Sequence, residues 1–490
     1  KAFLMFRENS TGGMPKRYAT PTALKADLEL DRILENMADG DKTMLEACEQ
    51  ALLRPLYDID AIKYRQETLT DALDNAEIVR RLYDVAATPD SFPGYYLSPV
   101  RLAETFSYAV DIIKSYTRLM RELRDIADTK LSSFKSEGFK SLLAMFQREL
   151  SDEYFANVRE HMNGLKDVDN VLVSAKLGRN LQSYGYTLRR KDKGYWLHWH
   201  LAPAFSVNAE ENPNGLEDLH QRRILAINAA TSVLIQAAEF QKSFFNMLRR
   251  ELSFYVGCLN LTDKMRAVGM PLSIPTLLPL ESRERKWHNL YDVSLSLSKA
   301  SAVVGNDLEI DGKHLYIITG ANQGGKSTFV RSLGQAQLMA QCGMLVGAES
   351  FAAPLRRGVF THFIREEDRN MRSGKLDEEL KRMRDIVDQL EPGALMMFNE
   401  SFSSTNEREG SEIGRQITKA MLENNVEVFS VTHLFMFADS YIGDPETLFL
   451  RAQRREDAQR TFKIEPGEQL KTAFGEDIYN KLFGTSVTRG

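Results

Sequence analysis

The chain carries 490 residues, 43% hydrophobic and 27% charged, too long for one ordinary core and balanced like a soluble globular protein of two to four domains. A net charge of −5 excludes a protein that coats nucleic acid by bulk charge, although a local basic face would still allow contact with it. No apolar run is long enough to cross a membrane, no secretory leader is evident, and Cys48, Cys258 and Cys342 stand far apart without metal or disulfide spacing, so a reducing, cytoplasmic setting is expected.

Residues 1–20 read as an N-terminal extension and 21–282 as an α-helical core or lever. No proline interrupts the chain between Pro99 and Pro203 or between Pro213 and Pro271, and both intervals carry apolar residues at helical spacing. In the first, Leu102, Phe106, Ala109, Ile113, Tyr116, Met120 and Leu123 recur at steps of three and four. The second, Leu216–Met270, carries Ile224, Ile227, Val233, Leu234, Phe240, Phe244, Phe245, Leu248 and Leu252. As one helix it would be a rod of roughly 60 to 80 Å at 1.5 Å per residue. Between them, 168–206 changes character: 170–174 and 186–190 read as strands, a small β-containing insertion. Within it, His198 and His200 are too few for zinc, which needs three or four ligands, so a structural role is expected. Arg189, Arg190, Lys191 and Lys193 read as solvated turn charges, with phosphate contact as the alternative.

From about residue 283 the pattern becomes α/β. Val293-Ser-Leu-Ser-Leu-Ser298 alternates strictly and reads as a half-exposed strand. Short apolar strands at 314–319, 394–398, 426–431 and 447–450 alternate with helices, which predicts a largely parallel sheet. Between the first strand and its helix lies Gly320-Ala321-Asn322-Gln323-Gly324-Gly325-Lys326-Ser327-Thr328, the pattern of a phosphate-binding loop. Glycines let backbone N–H groups approach phosphate oxygens; Lys326 can reach the β/γ-phosphates of ATP, and the Ser327 hydroxyl can ligate Mg²⁺.

Asn399 and Glu400 follow the strand 394–398, placing a carboxylate at the end of a neighbouring strand, where Glu400 can orient and deprotonate an attacking water. Asn399 stands where an Asp would usually hold the metal; it keeps an acceptor oxygen but lacks the charge, so weaker Mg²⁺ binding is expected. His433 follows the strand 426–431 and can place an imidazole near the γ-phosphate or the water. Ser373-Gly374-Lys375 precedes a helix read as Leu376–Leu390, whose N-terminus suits an anion.

Taken in order, these pieces resemble the ATPase domain of MutS-type mismatch-repair proteins, relatives of the ABC ATPases. The segments that carry the likeness are Gly320–Thr328, Arg372–Lys375, Phe398–Glu400 with Ser403–Thr405, and Val431–His433, supported by Val304–Asp307 and Phe474–Asp477. Asp27–Arg32 and Pro55–Asp60 through Arg65-Gln66 resemble the start of that family's helical core. The resemblance implies that Lys326, Ser327 and Thr328 belong to a phosphate–Mg²⁺ site, that Glu400 activates water and that His433 senses the γ-phosphate. It also implies that Ser373 and Gly374 complete the ATP site of a partner subunit, in a homodimer with two composite sites. Ser403-Ser404 in place of Arg-Gly, like Asn399, predicts slow hydrolysis. No mismatch-reading or connector domain is expected, and Phe6-Arg7-Glu8 reads as a chance copy of that domain's wedge. The expected activity is slow ATP hydrolysis coupled to engagement of DNA by helical arms in repair or recombination, with downstream repair proteins as further partners. A nucleotide-gated clamp with little turnover, or an ABC-like ATPase acting on another partner, are the alternatives.

Overall fold

Packing order and chain order differ in this protein. The structure, a computed structural model, describes residues 3–7, 21–92, 102–164, 172–177, 183–189, 213–321, 323–364, 374–454 and 460–468. One unit comprises Lys1–Leu4 with Asn75–Leu252; the other comprises Met5–Asp74 with Ser253–Gly490. Helices α1 (Pro21–Asp27), α2 (Leu30–Ala38), α3 (Lys42–Leu52) and α4 (Ile59–Asp74) therefore belong to the second unit. The first unit follows with α5 (Ala76–Ala87), α6 (Leu102–Lys130), α7 (Glu137–Glu149), α8 (Asp152–Gly164) and the strands β1 (Leu172–Leu177) and β2 (Ser183–Arg189). Helix α9 (Pro213–Ala267) runs for 55 residues, its first forty or so in the first unit and its last turns in the second.

In the first unit the periodicity of α6 is realised: Phe106, Ala109, Ile113, Tyr116, Met120 and Leu123 are all buried. Tyr116 stacks on Phe245 of α9 with ring centroids 5.5 Å apart. The α9 stripe is narrower than the sequence suggests. Leu234, Phe245, Leu248 and Leu252 are buried, but Val233 and Phe240 are 65% and 78% exposed. Neighbouring helical residues point about 100° apart, so a face centred on Leu234 leaves Val233 on its flank. The strands β1 and β2 pair antiparallel, Leu172 opposite Arg189, close to the two strands expected there. Arg190, Lys191, Lys193, His198 and His200 lie outside the described residues.

The second unit continues through β3 (Thr276–Leu278), β4 (Arg285–Leu290), α10 (Val293–Lys299), β5 (Asn306–Ile310), β6 (Leu315–Thr319), α11 (Lys326–Gln341), β7 (Ser350–Pro354) and β8 (Val359–Phe363). It ends with α12 (Lys375–Val387), β9 (Leu395–Asn399), α13 (Glu407–Glu423), β10 (Glu427–Val431), α14 (Phe435–Asp439), β11 (Thr447–Arg454) and β12 (Arg460–Pro466). Two sheets result, ordered β3-β7-β4-β5 and β12-β11-β6-β10-β9-β8. In the larger sheet every pairing except β11–β12 is parallel. Every residue of β6, β8, β9 and β10 is buried, as parallel strands covered on both faces require. The order corrects one expectation: β9 is not the neighbour of β6, because β10, later in the chain, lies between them.

A second correction concerns Val293–Ser298, which is the helix α10 and not a strand. The Asp292 carboxylate caps it, accepting from Leu295 N at 3.0 Å. Ser294 and Ser296 are buried, their hydroxyls donating to the carbonyls of Glu29 at 2.8 Å and Ser301 at 3.0 Å. Serines that bury themselves by hydrogen bonding mimic the polar half of a strand pattern.

The boundary read at 282/283 marks a change of pattern, while the packed unit also takes in residues before it. Gln335 of α11 donates to Leu28 O at 2.9 Å, Gln341 donates to Leu56 O at 3.1 Å, and Arg331 pairs with Glu29 and Asp292. Cys48, Cys258 and Cys342 are all buried in this unit as free thiols. Burial pushes Cys48 and Cys342 up to about 12 and Cys258 well above the ordinary thiol value, so all three stay protonated at neutral pH. Among the described residues no group of three or more His, Cys, Asp or Glu is placed to hold a metal ion, and no helix is long and apolar enough to cross a membrane.

The N-terminal end of β10 is fixed by charge. Glu427 accepts from Arg285 Nε and Arg356 Nε, each at 2.7 Å, and all three side chains are buried. Burial by itself would raise the Glu427 carboxyl, but the two guanidinium groups hold it down at about 2 against an ordinary 4.5. Its contribution to stability should be complete above the ordinary carboxylate range and decline as pH falls toward 2. Glu427→Ala leaves two buried cations facing each other; urea unfolding of this unit should register a loss of about 3–5 kcal/mol.

Candidate functional site

The site is built at the C-terminal edge of the parallel strands. After β6 the chain turns through Gly320 (φ 119°), Gln323 (φ 60°) and Gly325 (φ 93°) and enters α11 at Lys326. Two constraints demand glycine here: left-handed backbone, and the closeness of β11 and β12. A Cβ on Gly324 would lie 2.8 Å from Ala452 Cβ and 3.0 Å from Ala321 O; one on Gly325 would lie 3.3 Å from Phe462 O. Backbone N–H groups at this helix start form a cradle able to take an anion. Thr319 Oγ1, buried at the mouth of the turn, has no hydrogen-bond partner among the described residues.

Lys326 folds back over the turn, donating from Nζ to Gly320 O at 2.8 Å and Ala321 O at 3.0 Å. Burial pulls its ammonium below the ordinary value, while the Glu400 charge acts the other way. Ser327 Oγ donates to Asn399 Oδ1 at 2.9 Å, so the hydroxyl after the turn and the amide after β9 meet. Both are neutral oxygen donors, of the kind a hard divalent cation such as Mg²⁺ accepts, with one negative charge fewer than an Asp would bring. Thr328 occupies the same first turn of α11.

Glu400 stands next, in a left-handed conformation (φ 56°), its N–H donating to Val431 O at 2.9 Å. Its Oε1 accepts from His433 Nε2 at 2.8 Å. A carboxylate only accepts, so Nε2 carries the proton. That hydrogen bond is the largest influence on the Glu400 carboxyl and holds it below the ordinary range, against the opposing effect of partial burial. Glu400 is therefore an ionised acceptor at neutral pH, partly open to solvent. Expected near the γ-phosphate or the attacking water, His433 is here hydrogen-bonded to Glu400, the residue expected to orient that water.

The other candidates separate. Asn322 and Ser373 lie outside the described residues, and so does Phe474–Asp477. Gly374 caps α12, which packs against the edge strand β8, three positions from β6 in the sheet. Two residues of β12, a strand the sequence reading did not contain, border the turn: Arg460 pairs with Gln323, and Phe462 (φ 58°, 47% exposed) flanks Gly325. Their signal in sequence was weak because Arg460-Thr-Phe-Lys-Ile464 follows a charged stretch at the end of a long strand.

Architecture and site together define one class: a helical part joined to a mixed α/β domain whose glycine turn, oxygen-donor pair and carboxylate–imidazole pair share one sheet edge. Comparison with known proteins agrees. Residues 57–268 match the family model described as the MutS2 N-terminal domain, and 316–472 match MutS domain V. Human "MutS protein homolog 4" is 24% identical over 239 residues, 47% of this chain and 24% of that protein. "Endonuclease MutS2" of Thermus thermophilus is 30% identical over 132 residues (27% and 18%), and "DNA mismatch repair protein MutS" of Thermus aquaticus is 28% identical over 162 residues (33% and 20%). The chain belongs to the MutS-related family. It spans about a quarter or less of the length of these relatives.

The Glu400–His433 pair makes a direct prediction. In His433→Ala the Glu400 carboxyl should titrate at higher pH than in the parent, followed by carbon-detected NMR of labelled glutamate. An unchanged titration would mean that another group holds the carboxylate down.

Proposed function

We propose that the protein is a MutS-like ATPase that binds Mg²⁺-ATP at the turn 320–328 and couples slow hydrolysis to engagement of DNA by its helical part, in repair or recombination. The observation that carries this reading is the meeting of Ser327 with Asn399 at 2.9 Å beside the Glu400–His433 pair at 2.8 Å. One edge thus offers an anion cradle, a pair of cation donors and an ionised carboxylate in sequence. When bound, Mg²⁺ would supply charge neutralisation between the phosphate oxygens. Lys326 exchanges its two loop carbonyls for phosphate oxygens, keeping its hydrogen-bond count while gaining a charged partner. Glu400, held ionised, orients a water and accepts from it, and His433 fixes the carboxylate's direction. Segment Ser373-Gly374 serves the ATP site of a second copy in a homodimer; the position of α12 at the far edge of the sheet, away from the chain's own turn, favours use in trans. The MutS-related relatives support a DNA partner and further repair proteins.

The neutral Asn399 favours a second reading, a nucleotide-gated clamp that retains ATP and turns it over little. Steady-state ATPase separates them. Glu400→Gln should lower turnover by about 100-fold or more while ATP stays bound; rates equal to the parent would support the clamp. Asn399→Asp should lower the Mg²⁺ concentration for half-maximal activity by roughly tenfold, one charge at ligand distance being worth at least ~1 kcal/mol even in a watery setting. DNA binding should weaken steeply with salt; a flat dependence would point to a different partner.

A further inference from the structure

A carboxylate that the proposed site does not use lies behind it. Glu379, on α12, is 4% exposed. Its Oε2 accepts from Phe402 N at 2.8 Å and its Oε1 from Ser404 Oγ at 3.1 Å. Its own backbone carbonyl accepts from His362 Nε2 at 3.0 Å. His362, fully buried on β8, reaches Ser401 Oγ through Nδ1 at 2.7 Å, and its ring stacks on Phe402 with centroids 5.4 Å apart. Ser401 Oγ also lies 2.5 Å from the His362 carbonyl. A closed polar ring therefore joins β8, α12 and the loop that follows Glu400.

That loop needs holding. Glu400 and Phe402 both adopt left-handed backbone (φ 56° and 61°), which residues with a Cβ rarely adopt unless their surroundings impose it. A buried polar group is costly unless hydrogen-bonded, and here the carboxyl oxygens take their hydrogen bonds from the loop itself, at Phe402 N and Ser404 Oγ. From the other side, α13 presses so closely on the loop that a Cβ at Gly410 would lie 2.3 Å from Phe402 O. The turn that aims Glu400 is thus gripped between Gly410 and Glu379.

We infer that Glu379 is a positioning residue: with His362 and Ser401 it clamps the 400–404 turn, so that Glu400 and the helix headed by Gly374 move as one body. Its hydrolytic consequence rests on the proposed function. A shift of that helix head on contact with a second copy then alters the aim of the same chain's own Glu400. Two sites on one chain are coupled without any movement of the glycine turn.

The test uses the full chain with Glu379→Ala, Glu379→Gln and, as reference, Glu400→Gln. Glutamine can still accept from Phe402 N and can donate to Ser404 Oγ, so it should restore most of what alanine removes. Glu379→Ala should lower kcat about tenfold to 100-fold while KM for ATP stays within about twofold, with thermal melting close to the parent's. Independently of turnover, hydrogen exchange at the Phe402 amide should be at least tenfold faster in Glu379→Ala, with β9 and the middle of α12 unchanged. If Glu400→Gln equals the parent in ATPase, the hydrolytic reading has failed, and exchange at Phe402 still decides the clamp. Unchanged exchange, unchanged kcat in a hydrolysing parent, or a loss of kcat, ATP affinity and melting temperature together would each overturn it.

Discussion

The parallel register around β10 is the constraint from which the site follows. Val431 sits opposite Ile318 of β6 and Asn399 of β9, so three strands end level with one another. What comes after each strand therefore shares one edge: the glycine turn and Ser327, then His433, then Asn399 and Glu400. At the other end Glu427, the first residue of β10, is gripped by Arg285 and Arg356. The strand is pinned by buried charge where it begins and presents polar groups where it ends. A slip by one residue would turn each alternate side chain over and separate Ser327 from Asn399.

Much of this edge was legible in the sequence. Strands expected at 314–319, 394–398 and 426–431 are observed at 315–319, 395–399 and 427–431, because buried parallel strands are continuous apolar runs bounded by polar residues. The glycine turn identified itself by composition. Strand order did not, since nothing local to 426–431 says that it inserts between two earlier strands. Nor did the pairing of Glu400 with His433, which depends on that insertion. At 293–298 the pattern misled: an alternation of Ser and Leu is compatible with a short capped helix once Asp292 and buried carbonyls take the serines.

Glu379 shows the limit from the other direction. It sits in Lys375-Leu-Asp-Glu-Glu-Leu-Lys381, where sequence alone reads an exposed charged helix face, and Lys381–Asp377 is indeed such a surface pair. Only the fold reveals that one acid of the run turns inward to backbone N–H. Asn399 is the reverse case: its substitution for an acid is plain in sequence, while its acceptor role toward Ser327 needed the geometry.

The interleaving of residues 5–74 with 253–490 carries a consequence for synthesis. Leu28 and Leu56 leave the ribosome long before Gln335 and Gln341, the residues whose amides they receive. At 5–20 residues per second, the gap of some 300 residues amounts to roughly 15 to 60 s. During that interval α1–α4 present an apolar surface with no lasting cover. The intervening helices 75–252 form a separate unit that can condense in the meantime. A nascent chain of this kind needs shielding early and completes the packing of residues 5–74 only near the end of synthesis.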